Sequence, residues 1–216
     1  MNWIDKLERR FGRYGIPYLV NGLIIGQLAV GLFILIINWR FGLAISLDRD
    51  AVLHGQIWRL VTFLFQPIWL GSVLGILNLF FYFWIGNSLT RVWGDFRITL
   101  YILLGVVGTW IGAFLTGGGS PYAVYLSMMF AYCWMWPTQG VMLWGIIPFK
   151  MKYLGWFELA IWIWEFIAGS FATLNSLVLG MAGFIAFFGR EVFFWCKDTI
   201  LGYKRRRDWQ NRNNRW

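Results

Sequence analysis

Along the first sixteen residues apolar positions recur at spacings of three and four. They are Trp3, Ile4, Leu7, Phe11 and Tyr14, with Lys6, Arg9, Arg10 and Arg13 between them. This period predicts a short amphipathic helix over 1–16, lying at a membrane surface and ended by Pro17. Asp5 and Glu8 interrupt the segment and it has no apolar run, so it does not read as a signal peptide. From Tyr18 onward continuous apolar runs replace the helical period. Six are of spanning length: about 18–38, 70–89, 98–116, 122–136, 153–169 and 174–195. About 20 apolar residues in a helix cross a bilayer core. Residues 17–196 therefore form one six-span membrane domain, an all-α bundle, and 197–216 form a basic tail.

The joints have their own signals. A long mixed segment, 39–66, holds Arg40, Asp48, Arg49, Asp50, His54 and Arg59. The cluster from Arg91 to Arg97 is a tight turn, and Gly117-Gly118-Gly119-Ser120-Pro121 is another. Residues 137–152 form a connector with apolar residues of its own, able to dip into the bilayer edge. Composition agrees: 59% of the 216 residues are hydrophobic and 13% charged, against roughly 25% charged in a soluble domain. The net charge of +9 would suggest nucleic acid in a soluble chain, but its distribution gives orientation instead. Every Lys and Arg except Arg40, Arg49 and Arg59 falls on the side of the two termini, which the positive-inside rule makes cytoplasmic. No nucleic-acid partner is expected.

Glycines at helical spacing (Gly22 and Gly26; Gly105, Gly108 and Gly112; Gly180 and Gly183) allow close helix approach. The simple consequence is packing within the bundle; a dimer interface is the alternative. Cys133 and Cys196 read as buried thiols, not a disulfide or a metal pair. Glu158 and Glu165 are seven residues apart, on one face of the fifth span and about 10 Å apart along it. They either snorkel to an interface or line a hydrated polar cavity with Asn78, Asn21, Gln27 and Thr109. Arg59, turned inward, could pair with Glu165. Trp39, Trp58, Trp69, Trp93, Trp134, Trp136 and Trp195 fall where an interfacial belt is expected, and Trp156, Trp162 and Trp164 where a helix faces lipid. In the tail, Lys204, Arg205, Arg206 and Arg207 form a polybasic site for anionic lipid, at about 1 kcal/mol per residue near the surface.

The first loop contains Gly55-Gln56-Ile57-Trp58-Arg59-Leu60-Val61-Thr62. With Asn78 and Gly86 in the second span, Gly94 beyond it, Trp134-x-x-Pro137, the Ile147–Leu154 connector, and Gly180 and Gly183 in the sixth span, the chain resembles the rhomboid superfamily. The Gly183–Val192 stretch is similar to the derlin branch. The resemblance covers roughly residues 17–195, and its most specific part is the Gln56, Trp58, Arg59 string. It implies a six-helix bundle in which Asn78 lines the site. A rhomboid protease needs a serine within Gly-x-Ser-Gly at the head of span four and a histidine base on span six, because serine is too weak a nucleophile alone. Here the only histidine is His54, in the first loop. The base position falls on Ser176 or Leu177 and the nucleophile position near Tyr122. Ser120 and Ser127 lie nearby, outside that motif. Leu74 stands where the family has a second histidine.

The resemblance therefore implies a catalytically inactive relative that binds membrane-protein clients for quality control, degradation or trafficking. No cofactor or metal is expected, and the absence of an organelle signal leans to a prokaryotic inner membrane. A client helix would dock between spans two and five. Two competing readings are an intramembrane serine protease with displaced residues and a small transporter or channel. The absence of an internal three-span repeat and the scarcity of intramembrane charge weigh against the last.

Overall fold

A computed structural model describes residues 3–36, 40–67, 73–143, 147–168 and 178–213. The described residues are mostly helical, with two small two-stranded ribbons among them. Helix α1 (Trp3–Phe11) ends in a 3-10 turn, Gly12–Tyr14, so it stops well before Pro17. Helix α2 (Leu19–Ile36) carries no charged residue. Short helices α3 (Phe41–Ile45), α4 (Arg49–Leu53) and α5 (Arg59–Thr62) build the first loop, which closes with a 3-10 turn at Phe63–Phe65. Asp48 caps α4, its Oδ1 accepting from the Ala51 amide at 2.8 Å. Helix α6 (Val73–Thr116) consists of two arms, and α7 (Tyr122–Met135), α8 (Met151–Ala168) and α9 (Ala182–Asn213) complete the bundle.

The arms of α6 meet at Gly94, where φ is 76° and ψ is 168°. This backbone region is open only to glycine, so one residue makes the reversal that the basic cluster predicts. Gly94→Val should lose about 2 kcal/mol through backbone strain alone, since nothing lies within 4 Å of an added Cβ. Thermal unfolding in detergent measures this, with Gly94→Ala expected to lose nearly as much.

Helix α1 is strapped to the Gly94 turn rather than lying free. Arg97 donates from Nε to Glu8 at 2.8 Å and from Nη2 to Glu8 at 2.6 Å and Asp5 at 3.2 Å. The Glu8 hydrogen bond pushes the Arg97 guanidinium above its ordinary pKa, so it stays charged. The pairs are about one-third exposed, which limits them to about 1 kcal/mol together. Downstream, the Ile16 amide donates to Thr99 Oγ1 at 3.0 Å. A Cβ on Gly15 would meet the backbone of Asp95 and Phe96, so the chain crosses the turn in direct contact. Trp93, half-buried beside the Gly94 turn, packs against the bundle. Its ring is 5.3 Å from Tyr101, 5.3 Å from Phe187 and 5.8 Å from Phe188.

At the opposite end, strands β1 (Leu47–Asp48) and β2 (Gly118–Gly119) pair antiparallel, with Leu47 opposite Gly119. This ribbon ties the first loop to the glycine turn before α7. Residues 137–152 differ from a plain connector: β3 (Gly140–Leu143) and β4 (Ile147–Lys150) form a hairpin. The Met151 and Lys152 amides pin its base to the Gln139 and Pro137 carbonyls. Helix α9 runs without a break through residues 197–213.

Two helical segments, Leu19–Ile36 and Gly75–Thr116, are long and apolar enough to cross a membrane, and Tyr122–Met135 is apolar but shorter. The core centres on α7, whose residues from Ala123 to Tyr132 are all buried. Phe63, Ile85, Leu89 and Tyr101 pack against it with no exposed surface.

Candidate functional site

Arg59 folds the first loop around itself. Its Nη1 donates to the Leu43 and Ser46 carbonyls, both at 2.7 Å, and its Nε to Gln56 Oε1 at 2.7 Å. Gln56 thus orients the guanidinium while the two carbonyls take its charge-assisted hydrogen bonds. Trp58, one residue earlier, is half exposed. The expected Arg59–Glu165 pair falls on the Glu165 side chain, which lies outside the described residues.

Beyond Arg59 the loop enters the bundle. Phe63 is completely buried, and its three-residue 3-10 turn is too short to satisfy its own carbonyls. Helices supply the missing donors. Gln27 Nε2 donates to the Leu64 and Gln66 carbonyls at 3.1 and 3.3 Å. Tyr125 Oη donates to Leu64 at 3.2 Å and Trp110 Nε1 to Leu60 at 2.9 Å. Gln27 is thus buried with its donors on backbone carbonyls, and Thr109 is fully buried and donates to the Gly105 carbonyl at 2.9 Å. Gln27→Leu keeps the volume but takes the donor from the Gln66 carbonyl and leaves Leu64 with Tyr125 alone. It should destabilise the protein by about 2 kcal/mol, measurable as a lowered unfolding midpoint, whereas Gln27→Glu, which also removes the donor, should be at least as harmful.

The glycines mark close approaches. A Cβ on Gly86 would run into Val20 of α2 and approach Met128 of α7. Gly180, just before α9, abuts Ala123 at the head of α7, and Gly183 abuts the Tyr101 carbonyl. On the second arm of α6, Gly108 meets the Leu179 carbonyl and Gly105 the Gly180 carbonyl. Gly22 and Gly26 differ: the first has open space and the second receives the Phe65 ring.

The serines singled out by position are engaged locally. Ser127 is fully buried and donates to the Val124 carbonyl at 2.6 Å. Ser120 Oγ accepts from the Tyr122 amide at 3.2 Å. His54 caps the end of α4, its Nδ1 2.6 Å from the Asp50 carbonyl. Ser176 and Leu177 lie outside the described residues, as do the side chains of Leu74 and of Lys204 to Arg207. Among the described residues no group of three or more His, Cys, Asp or Glu could hold a metal.

The first arm of α6 and helix α8 both lean on α7, and each carries polar residues. On one side, Trp84 packs 5.0 Å from Tyr132 and Tyr82 5.6 Å from Tyr125. On the other, a Cβ on Gly155 would sit 3.1 Å from Cys133. Glu158, one turn after Gly155 and half-buried, acts electrostatically on both Cys133 and Tyr82. Asn78, also half-buried, precedes Tyr82 by one turn and shares its helix face. Asn78 and Glu158 thus lie on the two helices that flank α7, together with Tyr82, which the sequence did not single out; its spacing of four from Asn78 was the available signal. No family model matches this chain, and no curated protein or solved structure matches it either, so a functional reading rests on the chain's own residues.

Proposed function

We propose that the chain is a six-span membrane protein of rhomboid-like architecture that holds membrane-protein clients without cutting them. The carrying observation is that the first arm of α6 and α8 flank α7, and we read the space between them as a crevice. It has a polar floor at Asn78, Tyr82 and Glu158, and its flanks expose Phe80, Trp84, Trp156 and Phe157. A client helix with an amide or hydroxyl in its span would exchange lipid contact for hydrogen bonds to this floor, while its apolar face meets the aromatic flanks. Interhelical hydrogen bonds of this kind contribute about 1 kcal/mol each in a bilayer. The exposed apolar side chains of the first loop, Leu43, Leu53, Ile57, Trp58 and Val61, suit the opposite leaflet boundary and would thin it locally. The continuous apolar surface of α2 and the clustering of basic residues at the Gly94 end support the spanning arrangement with cytoplasmic termini. On the same reading the Lys204–Arg207 segment attracts anionic lipid, and the membrane is a prokaryotic inner one.

Photo-crosslinkers at Phe80 and Phe157 test this in cells. Recovery of membrane proteins at both sites, lost when Asn78 and Glu158 are replaced by Leu, is the expected result. Recovery of lipid alone would sink the proposal.

A further inference from the structure

Cations at the two ends of the bundle are used differently. At the ribbon end, Arg49 pairs with Asp50 at 3.1 Å, and Arg59 spends its donors on the Leu43 and Ser46 carbonyls and on Gln56. At the Gly94 end, four cations stand beside aromatic rings instead. Arg10 lies 5.6 Å from the centre of the Phe11 ring and Arg13 5.3 Å from that of Tyr14. Lys152 lies 4.9 Å from Tyr153 and Arg190 5.7 Å from Phe194. All of these side chains are exposed. The fold collects them from three elements. Gly15 meets the backbone of Asp95 and Phe96, which sets the first two pairs beside the Gly94 turn. Helix α7 starts at the ribbon and runs away from it, and the Lys152 amide is bonded to the Pro137 carbonyl just past its end. On α9, Arg190 follows Phe188, whose ring is 5.8 Å from Trp93.

A ring face attracts a cation without occupying its N–H donors. Arg13 gives one donor to Tyr14 Oη at 3.4 Å and keeps its others. The acids at this end are partly spent: Asp5 and Glu8 face Arg97, and Glu191 accepts from Trp134 Nε1 at 3.3 Å. Asp95 and Asp198 are exposed, but so are Lys6, Arg9, Arg91, Lys150 and Lys197, so the surface stays basic. An aromatic ring that settles at headgroup level, beside a cation with open donors, matches a boundary of anionic phospholipid. An acidic protein segment would match the charge but offer the exposed rings no apolar layer to enter.

We propose that the Gly94 end is a collar for anionic phospholipid. Phe11, Tyr14, Tyr153 and Phe194 enter the level between headgroups and acyl chains. Arg10, Arg13, Lys152 and Arg190 each bind phosphate oxygens beside them. The collar recruits anionic lipid without the Lys204–Arg207 tail. The inference rests on the spanning arrangement proposed above.

Spin-labelled phosphatidylglycerol and phosphatidylcholine test it. The full chain, carrying Lys204→Gln, Arg205→Gln, Arg206→Gln and Arg207→Gln to silence the tail, is reconstituted in phosphatidylcholine vesicles. Electron spin resonance then reads the fraction of each lipid immobilised by the protein. The collar predicts an association about threefold stronger for phosphatidylglycerol, weakened by high salt. Adding Arg10→Gln, Arg13→Gln, Lys152→Gln and Arg190→Gln should bring the ratio close to one. Tyr14→Ala with Tyr153→Ala should lower it partway although the charge is intact. The immobilised fraction of phosphatidylcholine should stay constant throughout, which checks that each variant is folded. Equal association of the two lipids once the tail is silenced overturns the collar and leaves the spanning arrangement standing. A preference that survives the four collar substitutions, or a ratio that ignores loss of the rings, overturns it as well. Immobilisation of neither lipid overturns the spanning arrangement itself.

Discussion

Gly108→Val should be the most damaging single substitution in the bundle, lowering stability by about 3 kcal/mol or more. The added Cβ would overlap the Leu179 carbonyl and lie 3.1 Å from the Ala182 Cβ. The obstacle is backbone, so no rotamer change relieves it. The second arm of α6 and the segment leading into α9 would have to separate, and the Gly105–Gly180 and Gly183–Tyr101 approaches would be lost with them. In a protein of this size that corresponds to a fall of roughly 10 °C in unfolding temperature. Gly22→Val is the matched control: it is helical, carries the same change and has nothing within 4 Å, so its effect should stay within about 0.5 kcal/mol. Equal effects at the two positions would mean that helix propensity, not interlocking, sets the outcome.

Arg59→Lys should rank second, at about 2–3 kcal/mol. The two substituents share a charge but not a shape. One guanidinium spans the Leu43 and Ser46 carbonyls and Gln56 at once. A lysine ammonium can reach one of them and leaves the others to water. The loss should be local: limited proteolysis between α3 and α4 should accelerate several-fold while the α7 core resists. Gln56→Ala in the Arg59→Lys background should add little, since the hydrogen bond it removes is already broken. Full additivity would show that Gln56 acts independently of the clamp.

The long helices were legible because each is a continuous apolar run between charged or glycine-rich joints. That pattern located α2, both arms of α6, α7 and α8 within a few residues. The Gly94 turn was legible as a charged cluster, but not as a one-residue reversal, since a glycine in sequence does not declare its φ. The β3–β4 hairpin was hidden because an unbroken apolar run has neither the period of a strand nor that of a helix. The strap at Arg97 joins residues 89 positions apart, a pairing that charge alone leaves ambiguous among several candidates. Gln27 was marked as unusual, yet its partners are backbone carbonyls, which have no side-chain signature. Beside α7, Asn78 and Glu158 stood out as polar residues in apolar helices. Tyr82 did not, because an aromatic ring there is indistinguishable from core packing until its neighbours are known.

The unbroken course of α9 makes it a lever. From Gly183, locked on the Tyr101 carbonyl, one axis passes the Phe187 ring, itself 6.5 Å from Trp3 of α1. It then continues through the basic stretch to Asn213. Residues 197–213 add roughly 24 Å of helix, an arm longer than the depth of a headgroup layer. A tether at its far end therefore exerts torque, not only adhesion. The same helix touches both α1, through Trp3, and the residue before the Gly94 turn, through Trp93, by way of Phe187.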